Sequence, residues 1–189
     1  MKNLIKIIIF NIFFLSSCNV FSETLNTYII ETNRGNITIE VYPKKAPVTV
    51  KNFENYVESE FYNGLIFHRV ISNFMIQGGG FDKNMMQKKA NKPIKNEADN
   101  GLKNEAYTLA MARTNNPNSA TSQFFINLIN NSYLNYSGKS ADKIGYCVFG
   151  AVIEGKEVVD KIGSLKTQTK NGFSDVPIKN VIIKSIKKR

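Results

Sequence analysis

Residues 67–81 read Phe67-His68-Arg69-Val70-Ile71-Ser72-Asn73-Phe74-Met75-Ile76-Gln77-Gly78-Gly79-Gly80-Phe81. The first eleven of them alternate in and out, as a strand with a bend does. Arg69 and Gln77 stand among large apolar side chains. A cation on an apolar wall is costly unless something uses it. Taken alone, the run also fits a strand with one exposed arginine. A second run, Ser122-Gln123-Phe124-Phe125-Ile126-Asn127, repeats the mixture of amide and aromatic groups and favours a built site. Alternation puts Phe124 and Ile126 on a core face and Phe125 on the opposite one.

Outward from these runs the chain punctuates clearly. Thr27–Thr32 and Asn36–Tyr42 alternate around a Gly-containing turn and read as a hairpin. Pro47 opens a helix over 47–59, with Val50, Phe53, Tyr56 and Val57 at helical spacing. Asp82 to Glu105 holds few apolar residues and reads as an exposed loop. Tyr107–Arg113, Ser122–Leu128 and Cys147–Ile153 are strand candidates, Glu154–Ile162 a second helix, and Ile178–Ile186 a last strand. This order does not fit alternating strand-helix units with a parallel sheet. It fits an antiparallel barrel or sandwich with helices over its ends.

The chain has 189 residues, enough for one domain and a leader. Lys2 and Lys6 precede a short apolar run, Ile7 to Leu15, which leads into Leu15-Ser16-Ser17-Cys18. That is the layout of a secretory signal peptide, and the run is shorter than the about 20 residues of a membrane-spanning helix. Leu-Ser-Ser-Cys resembles a bacterial lipobox, which ends the leader before a lipidated Cys18. The alternative is cleavage after Ser22, with a soluble product from Glu23. Residues 1–18 (alternatively 1–22) are thus expected as leader, 19–25 as tether and 26–189 as the folded domain. The expected location is the periplasm or cell envelope of a bacterium, anchored by lipid. Cys147 lies in an apolar stretch and reads as a buried structural thiol.

The formal net charge is +10, which falls by two when Lys2 and Lys6 leave. The lysines are scattered, without the aromatic-basic interleaving of a nucleic-acid platform, so no nucleic-acid partner is expected. Charge alone leaves open a surface adhesion role. The one histidine, His68, cannot supply a zinc site's three or four ligands, and no metal or other cofactor is expected. No Gly-x-Ser-x-Gly elbow is present, and Gly78-Gly79-Gly80 lacks the Lys-Ser/Thr of a phosphate loop.

Phe67-His68-Arg69-Val70-Ile71, Asn73 to Gly79, Leu109-Ala110-Met111-Ala112-Arg113, Ser122 to Ile126 and Val148-Phe149-Gly150 resemble, in order, the motifs of the cyclophilin family of peptidyl-prolyl cis-trans isomerases. The resemblance covers about residues 26–187, and Met111 to Thr114 with Ser119 to Gln123 have the flavour of its bacterial branch. It implies a mainly β fold: a closed eight-stranded antiparallel barrel capped by two α-helices, with the site on its outer wall.

The family's catalytic arginine falls on Arg69. Gln77 and Gln123 fall where it braces that arginine and binds substrate backbone, and Ala112 and Arg113 where it grips that backbone. Phe74, Met75, Phe125 and Leu134 correspond to the proline pocket, with His68, Tyr133 and Tyr146 bordering it. Tyr133 and Tyr146 replace a tryptophan and a histidine of many eukaryotic members, Ser72 a frequent proline and Gly80 a common acid. The implied partners are proline-containing exported polypeptides in the course of folding, met by a monomer. A non-catalytic holdase using the same groove is the alternative.

Overall fold

The computed structural model describes residues 26–189, so the leader, Cys18 and the tether lie outside the described residues. Ten strands and two α-helices follow in chain order. They are β1 (Thr27–Thr32), β2 (Gly35–Val41), α1 (Pro47–Glu58), β3 (Leu65–Ile71), β4 (Met75–Asp82), β5 (Thr108–Met111) and β6 (Phe124–Asn127). After a 3-10 turn at Ser132–Leu134 come β7 (Val148–Glu154), α2 (Lys156–Gly163), β8 (Thr167–Lys170), β9 (Phe173–Pro177) and β10 (Val181–Lys188). Eight strands close a barrel in the order β1-β10-β3-β4-β6-β5-β7-β2, all pairs antiparallel. This is the expected mainly β barrel with two helices. Closure removes the exposed edges that an open sheet presents.

The interior is packed. Ile30, Ile37, Ile39, Phe67, Ile76, Leu109, Phe124, Ile126 and Phe149 are fully buried in one cluster. Helix α1 closes one end by inserting Phe53, whose ring lies 5.5 Å from Phe149, 5.6 Å from Tyr28 and 6.0 Å from Phe124. Pro47 sits at the helix start, and Ala46 offers no capping side chain. Glu97 supplies the cap instead, accepting from the backbone N–H groups of Val48 (3.1 Å) and Thr49 (2.9 Å). A carboxylate there satisfies orphan donors and the helix dipole together. Val158, Val159 and Ile162 of α2 pack onto the same core.

Three expectations need correction. Helix α2 starts at Lys156 because β7 runs on to Glu154 and Gly155 turns the chain at φ +84°. The last strand starts at Val181 and reaches Lys188. Residues 82–105 are not simply an exposed loop: Met85, Asn96, Ala98 and Asn104 are buried. The asparagines there are satisfied by hydrogen bonds, such as Asn96 Nδ2 to the Gly145 carbonyl at 3.2 Å and Asn104 Nδ2 to the Leu134 carbonyl at 3.1 Å. Cys147 is buried immediately before β7, and burial pushes its thiol up to about 11. The unexpected elements are β8 and β9, a two-stranded hairpin outside the barrel.

Candidate active site on the barrel wall

Register aligns the site. Arg69 of β3 pairs with Gln77 of β4, Gln77 with Phe125 of β6, and Phe125 with Ala110 of β5. Ala110 in turn pairs with Val148 of β7. Paired residues in neighbouring strands share a face, so this row crosses five strands on the outer surface. Met75, Ala110, Phe125 and Val148 form an apolar cluster there, distinct from the interior core, with Phe74, Ala112, Leu134 and Tyr146 packed around it. The inner face of the same strands carries Ile76, Phe124 and Ile126.

The outer cluster floors a groove of about 380 Å³. His68, Arg69, Phe74, Met75, Gln77, Ala112, Arg113, Gln123, Phe125, Leu134 and Tyr146 line it, which gathers eleven of the twelve residues expected around the site. The twelfth, Tyr133, is 72% exposed and stacks beside Phe74 at 6.0 Å without lining the groove. Three further lining residues were not singled out in the sequence: Phe81, Phe173 and Ser174. The signal for the last two was present. Asn171-Gly172 is the dipeptide of a two-residue hairpin turn, and both residues have positive φ, 51° and 81°.

Polar groups fix the walls. Gln77 Nε2 donates to Gln123 Oε1 at 2.9 Å. Gln77 stands beside Arg69 in register but makes no hydrogen bond to it; its amide N–H goes to Gln123. Arg113 is held by the Gly145 carbonyl (Nε, 3.0 Å) and the Thr114 carbonyl (Nη1, 2.9 Å), and its guanidinium lies 4.4 Å from the Tyr146 ring centre. The turn carrying Leu134 is tied down through Asn131, whose Nδ2 donates to the Phe74 carbonyl (2.9 Å) and to Asn127 Oδ1 (2.7 Å). The Tyr146 N–H donates to the Leu134 carbonyl at 2.9 Å. The slot between Phe74, Phe125 and Leu134 is thus framed by backbone as well as side chains.

His68 is buried under Phe81, with ring centres 4.6 Å apart. Burial, aided by the Arg69 charge and opposed by a backbone hydrogen bond at Ile66, lowers its pKa from 6.5 to about 4. It is neutral at physiological pH. The groove therefore offers two guanidinium groups, Arg69 and Arg113, two amides and an apolar slot, a set suited to binding and polarising an amide next to an apolar ring.

Comparison with known proteins agrees with that geometry. Residues 27–188 match the family model for cyclophilin type peptidyl-prolyl cis-trans isomerase. A peptidyl-prolyl cis-trans isomerase of Acinetobacter baylyi is 58% identical over 162 residues, covering 85% of this chain and 85% of its own length. Peptidyl-prolyl cis-trans isomerase B of Escherichia coli is 56% identical over 155 residues, 82% of this chain and 94% of its own. Among solved structures, a Cryptosporidium parvum cyclophilin type isomerase crystallised in the presence of the dipeptide Ala-Pro superposes with a TM-score of 0.71 at 28% identity. That match covers 86% of this chain and 98% of the other. The chain belongs to the cyclophilin-type peptidyl-prolyl cis-trans isomerases, and it is an isomerase acting on X-Pro peptide bonds.

Proposed function

We propose that Arg69 is the donor that lowers the rotation barrier, and that the slot of Phe74, Met75, Phe125 and Leu134 holds the proline ring. The observation that carries this reading is the shared groove: the guanidinium and the apolar slot open into one cavity on one wall. The X-Pro bond is a tertiary amide whose two isomers differ by only about 0.5–1 kcal/mol, across a barrier of about 18–20 kcal/mol. The barrier is amide resonance. Rotation makes the nitrogen pyramidal, and a donor placed beside the twisting amide stabilises that state more than the planar one. No bond breaks, so neither a nucleophile nor an acid–base pair is required. Gln77 and Gln123 serve as a linked amide pair for substrate backbone, and Ala112 and Arg113 bound the other side. The Ala-Pro dipeptide named with the Cryptosporidium structure fits an X-Pro substrate for this groove.

Arg69→Ala tests the assignment. Loss of a charged hydrogen bond worth about 1.5–3 kcal/mol lowers kcat/KM about 10- to 100-fold in a protease-coupled assay on an X-Pro peptide, with Tm unchanged. Turnover near that of the parent protein would remove Arg69 from the chemistry.

The export reading is supported by residues 2–18 alone, with Lys2 and Lys6, the Ile7–Leu15 run and Leu-Ser-Ser-Cys18. On it, the enzyme is a monomer anchored in the bacterial envelope by acyl chains on Cys18, where it speeds the folding of exported polypeptides. Uncatalysed X-Pro isomerisation takes roughly tens to hundreds of seconds, slow enough to limit that folding. Intact mass of the exported protein should show an acylated N-terminal Cys18. A chain starting at Glu23 would replace the lipoprotein by a soluble periplasmic enzyme.

A further inference from the structure

The hairpin of β8 and β9 lies outside the barrel but reaches the site. Lys170 pairs with Phe173 across the Asn171-Gly172 turn, and the register then slips between Gln168 and Lys170. The slip is a bulge on β9, with Asp175 in the left-handed region at φ +61°. Bulges re-aim side chains and recur beside active sites. Here the bulge splits the strand's duties. Phe173 and Ser174 line the groove, and Phe173 stands edge-on to Phe81 at 5.0 Å. Val176 anchors the hairpin in a small cluster with Ile66 and Met85. Asp175 does not line the groove; its Oδ2 lies 3.8 Å from Arg69 Nε.

Arg69 needs such a partner. Among the described residues no hydrogen bond fixes its guanidinium, and Gln77, its register partner, donates to Gln123. Its side chain is 43% exposed and that of Asp175 38%. An arginine is a long side chain with much rotamer freedom. A carboxylate against the Nε edge restrains the fork and leaves the two Nη groups free for another partner. We propose that Asp175 is a positioning residue for Arg69, and that the β8–β9 hairpin is the part of the fold that delivers it. This inference rests on Arg69 being the donor. A half-exposed pair adds little to stability, so the function of this one lies in orientation: a donor already aimed loses less entropy on reaching the twisted amide.

The test is Asp175→Asn in the full domain, with Arg69→Ala alongside. Asparagine keeps the size and tolerates the left-handed backbone, so only the charge is removed. The expected result is a fall in kcat of about three- to tenfold with KM unchanged, Tm within about 2 °C, and faster solvent exchange of the Arg69 Nε–H by NMR. Parental kcat, a loss carried by KM, a loss that tracks a fall in Tm, or an unchanged Nε–H would each overturn the proposal. If Arg69→Ala stays active while the Nε–H responds to Asp175→Asn, the pairing is real and the donor role is wrong, and the positioning role falls with it.

Discussion

Phe124 and Phe125 are neighbours in β6 and do opposite work. Phe124 points into the barrel, against Phe53, Tyr62 and Phe67 with ring separations of 6.0, 5.6 and 6.1 Å. Phe125 points outward to Met75, Ala110 and Val148, with Tyr146 edge-on at 5.7 Å. Both rings are buried, so burial does not tell stability from function in this protein. Connectivity does: the inner ring touches only core, whereas the outer ring shares its cluster with a groove.

Replacing each ring by alanine separates the two faces. Phe124→Ala leaves a cavity in a closed core and costs about 3–5 kcal/mol by denaturant melting, with the kcat/KM of the folded fraction little changed. Phe125→Ala costs less stability, because its ring has an open side, but lowers kcat/KM about tenfold or more through loss of apolar contact with the proline ring. The reverse pattern would move the active wall elsewhere.

His68 sits on the border of the two faces and gives a pH test. Its pKa is about 4 when folded and near 6.5 when exposed. Between those values the unfolded chain binds the proton and the folded one does not. The stabilisation is therefore complete above about pH 6.5 and is lost as pH falls towards about 4, by up to about 3 kcal/mol. A His68→Gln variant should lack that share of the pH 6.5-to-4 slope, measured by urea melts at stepped pH. An identical slope in the variant would mean that the imidazole is not neutral in the fold.

The wall was legible in the sequence because it is written in alternation. Gln77 and Phe125 lie on strands whose neighbours Ile76, Phe124 and Ile126 define the inner face, and the period of two fixes their side. Arg69 reaches the outer wall through a register shift between Phe67, which is core, and Arg69. Helix α1 was legible from Val50, Phe53 and Tyr56 at helical spacing. The segment 82–105 was not, because Asn96 and Asn104 are buried through hydrogen bonds rather than apolarity. The β8–β9 hairpin escaped notice because Thr167 to Thr169 are exposed and polar, which leaves only the Asn171-Gly172 turn as its mark. The resemblance to cyclophilins carried the functional roles, and Tyr133, expected at the border of the pocket, stacks beside Phe74 without lining the groove.

The smallest expected effect tests the amide pair on the outer face. A Cβ on Gly80 would stand 2.6 Å from Cγ, Cδ and Nε2 of Gln123. The missing side chain is what lets Gln123 lie over β4 and accept from Gln77. Gly80→Asp, the acid common in the family at this place, therefore pushes Gln123 aside. The displaced group is the flexible end of a side chain, so stability should change little. The lost hydrogen bond is worth about 1 kcal/mol, which predicts a roughly fivefold fall in kcat/KM. Because Gly80 acts only through Gln123, the double variant Gly80→Asp/Gln123→Ala should be no worse than Gln123→Ala alone. Additive losses would mean that the aspartate reaches Arg69 or the substrate directly, and that the outer face tunes its donor by charge rather than by the placement of amides.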